Sequence, residues 1–190
     1  MGRLTSWRVW SVSAVIFVLF AGVFFASSAP FAIPEIEAAC GEVPLDVRFT
    51  SSGSDVDRFL EACGPEGREA YQRMQVADLF YPSVFGVFMA SSLALALSRL
   101  APERPALLGL AALPLVASGF DYVENAFAWV ALLAHPEPAA TNSLLGVASA
   151  AKTTLSWLAG LLLLVSLGMI AVRAARRRVV RRRVPSLGLR

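Results

Sequence analysis

The residues best suited to chemistry are polar groups stranded in apolar surroundings. Asp121, Glu124 and Asn125 lie in one long apolar run, at spacings of three and four that place all three on one helix face. Lys152 lies in the next apolar run and is the only lysine, set against sixteen arginines. A compact ammonium among apolar residues fits between carboxylates, or shifts its proton affinity on burial. Counted from the ends of their runs, Glu124 and Lys152 fall at similar depth, so a contact is expected. Asp121, Glu124 and Lys152 are therefore the candidates for general acid/base chemistry, with the ammonium tuning a carboxyl group. The bland alternative is a buried ion pair that fixes helix register. Asp78 and Tyr81, followed by Pro82, lie close to a third apolar run and extend the candidate ligand-binding set to Asp78, Tyr81, Asp121, Glu124, Asn125 and Lys152.

The elements that must hold these groups are membrane helices. The chain is 56% hydrophobic and 16% charged, well below the roughly 25% charged residues of soluble domains. Four apolar stretches, about 9–29, 79–100, 106–134 and 144–172, are long enough to cross a bilayer, which takes about 20 residues. Continuous apolar runs favour helices over barrel strands. The fold class expected is an all-α membrane protein, a four-transmembrane-helix bundle with a small helical extracytoplasmic loop at 30–78. Residues 1–8 form an N-terminal segment and 173–190 a basic tail.

Charge sets the orientation. Arg3 and Arg8, then Arg99 and Arg104, then Arg173 to Arg190 fall on one side of the bundle, and the other side carries nine acids between Glu35 and Glu69. By the positive-inside rule both termini are cytoplasmic. The arginine and alanine bias points to a bacterial source and an inner (plasma) membrane, multi-pass location. The first stretch has a basic start and small residues at Ala26–Ala29, as a signal peptide would. Pro30 disfavours cleavage there and the stretch is long, so it reads as an uncleaved anchor. The arginine tail directly follows a membrane helix, so it reads as a lipid-contacting anchor and not as a nucleic-acid site.

The 30–78 loop holds both cysteines, Cys40 and Cys63, on the oxidising side, and a disulfide between them is expected. Ser54 with Asp57 suggests a capping box. Val56, Phe59 and Leu60 form an apolar stripe, and Gly64-Pro65 ends that helix and starts another. Arg68, Tyr71 and Arg73 then fall near the headgroup layer. They act there as interfacial anchors or, through the arginines, as a phosphate-headgroup site. On the latter reading Arg68 and Tyr71 join the ligand-binding candidates. In the second apolar run, Gly86, Ala90, Ala94 and Ser98 form a small-residue ridge for close helix packing.

No phosphate-cradling glycine loop, Ser-His-Asp set or histidine-rich site is present. His135 reads as a surface residue, and two carboxylates alone are a weak metal site. No cofactor and no metal are expected.

The stretch from Gly64-Pro65-Glu66-Gly67-Arg68 to Tyr71, then Asp78 with Tyr81-Pro82, then Asp121-Tyr122-Val123-Glu124-Asn125, resembles a group of bacterial four-helix membrane proteins with no assigned function. The likeness spans about 45–152, and Lys152 matches a basic position in that group. It implies architecture and not activity. A looser similarity, to sterol-isomerase-like and sigma-2-type membrane proteins, transfers no residue. Three functions are consistent with these features. The first is a small membrane protein whose polar pocket is structural or binds a lipid-like ligand, with membrane lipids as partners. The second is a membrane-embedded acid/base enzyme acting on an amphiphile. The third is a proton-coupled transporter working as a homo-oligomer.

Overall fold

A computed structural model describes residues 4–183, with side chains described to residue 178. The chain is all-helical there, and four of its helices are long and apolar enough to span a membrane. They are α1 (Trp7–Ala26), α4 (Tyr81–Leu100), the segment ending in α5 (Leu113–Ala134), and α6 (Asn142–Arg183). Between the first two lie α2 (Ile33–Cys40) and α3 (Gly53–Ala77), which form a cap on one end of the bundle. The other end carries the arginine-rich tail and is called the tail side below.

Two boundaries differ from the sequence expectation. Pro105–Ala112 is a 3₁₀ segment and not the first turns of α5. Pro114 supplies no amide to the preceding turn, so the α-helical ladder starts only at Leu113. The last helix does not stop near residue 172. It continues to Arg183, because no glycine or proline interrupts the stretch Val172–Arg183. At about 1.5 Å per residue its 42 residues extend about 63 Å, twice the ~30 Å hydrocarbon thickness.

The helix α4 is the hub of the bundle, touching α1, α5 and α6. Its ridge of small residues works as expected over Gly86, Ala90 and Ala94, which are all buried. A Cβ on Gly86 would collide with the Ser118 hydroxyl. That hydroxyl donates toward the Pro82 carbonyl across the interface, at 2.6 Å. The contact of α1 with α4 is aromatic. Phe17 stacks on Phe88 at 4.7 Å, and Phe24 stacks on Tyr81 at 5.6 Å.

The cap has its own core. Ile36, Val56, Phe59, Leu60, Tyr71 and Met74 are buried together with Ala128, Ala131 and Leu145 from α5 and α6. Cys40 and Cys63 are joined by a disulfide, 23 residues apart in sequence. In the chain-entropy model such a link contributes about 3 kcal/mol. Gly67 leaves room for it, since a Cβ there would lie 3.0 Å from Cys63 Cβ and 3.2 Å from Cys40 Sγ. Gly64 breaks α3 at a positive φ of 61°, with Pro65 starting the second half.

The N-cap of α3 is Ser52 with Asp55, two residues earlier than Ser54 with Asp57. The Asp55 amide donates to Ser52 Oγ at 3.2 Å, and the Ser52 amide donates to Asp55 Oδ2 at 2.9 Å. Hydrogen bonds from the Ser52 hydroxyl and amide hold the Asp55 carboxyl down at about 2. Asp57 is used elsewhere, accepting from Asn142 Nδ2 at 2.6 Å and so tying α3 to the start of α6.

The loop before α3 runs tightly along α6. Thr50 Oγ1 donates to the Gly146 carbonyl at 3.1 Å, and Phe49 stacks on Trp157 at 5.6 Å. A Cβ on Gly146 would overlap the Ser51 carbonyl oxygen and lie 2.7 Å from the Ser51 amide nitrogen. Backbone on both sides cannot yield cheaply. Gly146→Ala should therefore push the loop off α6 and destabilise by about 1–3 kcal/mol. Thermal melting in mild detergent measures this, and a melting point unchanged from wild type would show that the loop does not rest there.

Candidate functional site

The polar residues singled out in the sequence meet under the cap. Asp121, Glu124 and Asn125 share the buried face of α5, as their spacing requires. Lys152 arrives from α6, which is antiparallel to α5 and joined to it by the link at 135–141. The Lys152 ammonium donates to Asp121 Oδ1 at 2.8 Å and forms a second ion pair with Glu124 Oε2. Glu124 is completely buried, and the Ser149 hydroxyl donates to its other carboxylate oxygen. Ser149 lies three residues before Lys152, on the same face of α6. The expected Glu124–Lys152 contact is thus present, with Asp121 as an additional partner of comparable reach.

The level of the cluster in the bundle follows from Asp78. This residue ends α3 just before α4 begins, and the Asn125 amide donates to its backbone carbonyl at 3.3 Å. Nine more residues of α5 extend beyond Asn125 to Ala134, about 13 Å of helix. The α5–α6 hairpin therefore rises past the first turn of α4, and the cap packs on the part that rises. Asp121 is one turn below Asn125. It stands near the cap-side end of α4, although it is close to the middle of its own apolar run.

A fourth carboxyl group enters from the cap, and the sequence reading missed it. Asp46, in a 3₁₀ turn at Leu45–Val47, is buried. It accepts from the Tyr71 hydroxyl at 2.6 Å and from Gln75 Nε2 at 2.7 Å. The loop pinned on Gly146 and Trp157 carries it there. Burial, and then the Asp46 carboxylate, push the Tyr71 hydroxyl well above its usual range, with smaller contributions from Glu124 and Asp78. Burial first, then Asp121 and Asp46, likewise push the Asp78 carboxyl well above the ordinary carboxylate range. These couplings place Asp46, Asp78, Asp121 and Glu124 in one electrostatic neighbourhood. Two amide oxygens, Gln75 Oε1 and Asn125 Oδ1, are buried without a hydrogen-bond donor. Buried amide oxygens of this kind are acceptors that ordinarily take a donor.

The remaining candidates lie elsewhere. Tyr71 is fully buried in the cap core, edge-on to Phe59, and is not an interfacial anchor. Its position follows from the α3 stripe, since Gly67, Ala70, Tyr71 and Met74 are spaced at three and four. Arg68 turns back to donate to the Leu60 carbonyl at 2.9 Å, closing the end of the first half of α3. Arg73 pairs with Glu69 at 2.6 Å. Neither guanidinium joins Tyr71 in a common site. Tyr81 is packed among phenylalanines of α1 and α4. Among the described residues, no three His, Cys, Asp or Glu side chains converge so as to hold a metal ion. Three cavities are apolar grooves between or along helices, two more on the tail side are lined in part by Glu103, Arg104, Arg173 and Arg176, and the cluster lines none of the five.

No family model, no curated protein and no solved structure matches the chain. The reading of the site therefore rests on its own geometry.

Because Lys152 serves two acids, removing it leaves two buried carboxyl groups without their cation. Lys152→Met should destabilise by about 3–5 kcal/mol. Adding Glu124→Gln should recover only part of the loss, and adding Asp121→Asn as well should recover most of it. Detergent melting of the singles, doubles and triple gives the coupling energies. Full recovery in the Lys152→Met/Glu124→Gln double would mean that Asp121 is not a partner.

Proposed function

We propose that this chain is a non-catalytic multi-pass protein of a bacterial inner membrane, in which the carboxylate–lysine cluster latches an extracytoplasmic cap onto the helix bundle. One observation carries the reading. The single ammonium is spent on Asp121 and Glu124, with Glu124 fully enclosed. None of the five grooves described reaches those groups. An acid/base enzyme needs a path to them. The arginine distribution supports both termini on the cytoplasmic side, with the disulfide-linked cap outside. Membrane lipid is the partner, and a lipid-like ligand belongs in the apolar grooves and not in the cluster.

A second reading, proton exchange through an oligomer, is favoured by a specific count. Two buried acids, Asp121 and Glu124, pair with one lysine, two further buried acids, Asp46 and Asp78, lie on the cap side, and the amide oxygens Gln75 Oε1 and Asn125 Oδ1 are buried without a donor. Acid–lysine sets of this kind mark proton paths in membranes.

Proteoliposomes with a trapped pH dye separate the two. Under the latch reading, vesicles holding wild type and vesicles holding the folded Asp121→Asn/Glu124→Gln/Lys152→Met triple should both show the proton leak of empty vesicles. A flux present in wild type and abolished in the triple would overturn the latch in favour of transport.

A further inference from the structure

The geometry points to a binding site for one anionic phospholipid in the tail-side groove between α1, α4 and α6. The groove has a volume of about 400 Å³, with Trp7, Trp10, Phe88, Leu95, Arg99 and Leu167 among its lining residues. It is far from the carboxylate cluster and lies within the membrane-spanning segments, so its apolar walls call for hydrocarbon. The Trp10 indole N–H donates to the Ser92 hydroxyl at 2.9 Å, which fixes that ring as a wall. No described residue fills the space, and its length along α4 from Phe88 to Arg99 suits an acyl chain lying parallel to the helix.

Charge identifies the head that belongs at the open end. Arg99 stands there, its guanidinium 4.8 Å over the Trp7 ring and one N–H donating to the Leu95 carbonyl. Arg173 of α6 reaches across to the Leu100 carbonyl, which brings a second guanidinium to the same end of α4. Arg8 of α1 and Arg104 belong to this side as well. Against these the nearby segments offer a single acid, Glu103. Among the described residues, every ion pair lies in the cap or in the cluster, and none involves these arginines. Unpaired guanidinium groups above an apolar slot, beside two tryptophans at headgroup level, match a phosphate head over an acyl chain. A neutral lipid would leave the charge unanswered, and a second copy of this chain would bring the same positive end to meet it.

Native mass spectrometry tests the site on the full chain released from vesicles of equal phosphatidylglycerol and phosphatidylcholine with matched acyl chains. Wild type should retain one phosphatidylglycerol, in about fivefold excess over phosphatidylcholine. Arg99→Gln should cut that preference about fivefold, the effect of one guanidinium near a charged lipid. Leu167→Trp, on a lipid-exposed face of α6, should narrow the groove and lower retention of both lipids while leaving the Cys40–Cys63 bond and the melting point intact. Equal retention of the two lipids by wild type would overturn the proposal. So would phosphatidylglycerol retention unchanged in both variants, or a lipid-free dimer.

Discussion

The Lys152 ammonium, held between Asp121 and Glu124, is the interaction on which the rest of the structure depends. A buried ammonium without a counter-charge is untenable in a low-dielectric space, and so is a buried carboxylate. Each therefore dictates the position of the other. Because the partners come from α5 and α6, the pairing fixes the register of the hairpin. With the register fixed, α5 and α6 rise together past the start of α4 and present Ala128, Ala131 and Leu145 to the cap. The cap then completes the cluster from above with Asp46, Tyr71 and Gln75. The polar site and the apolar cap core are two sides of one docking event.

Opposing effects meet in this arrangement. A buried ion pair contributes little net stability compared with well-packed apolar residues, because desolvation consumes the Coulomb gain. On the proposed latch reading its contribution is specificity, since any slip of α5 against α6 would strand charges. Net stability comes instead from the cap core, the disulfide and the close helix contacts that glycine permits at Gly86 and Gly146. The hydrogen bonds from Asn142 to Asp57 and from Thr50 to Gly146 then tie the cap to the rising hairpin at its rim.

Much of this was legible in the sequence, for definite reasons. Four apolar runs, a helix-spaced Asp121–Glu124–Asn125 set and a lone Lys152 at matched depth are signals that hydrophobicity and helical period express directly. The Gly64-Pro65 break and the cysteine pairing are equally local in their logic. The parts that were not legible depend on tertiary contacts. Asp46 belongs to a short 3₁₀ turn with no period, and only the approach of its loop to Gly146 brings it to the cluster. Tyr71 looked interfacial because arginines flank it, but its place in the stripe with Ala70 and Met74 was the stronger signal. The α3 cap lies at Ser52 with Asp55 and not at Ser54 with Asp57, whose carboxylate instead accepts from Asn142 of α6, a contact that no local pattern expresses.

Amide hydrogen exchange in detergent, read by mass spectrometry across the cap, tests the central claim most directly. If Lys152 holds the hairpin in register and the cap rests on that hairpin, Lys152→Met should lose protection in the second half of α3, around Tyr71 to Asp78. Protection on the tail-side half of α4 should remain unchanged. The triple variant neutralising Asp121, Glu124 and Lys152 together should regain most of the lost protection. Wild-type protection of α3 in folded Lys152→Met would contradict the account, because the cap would then be held without the pair beneath it.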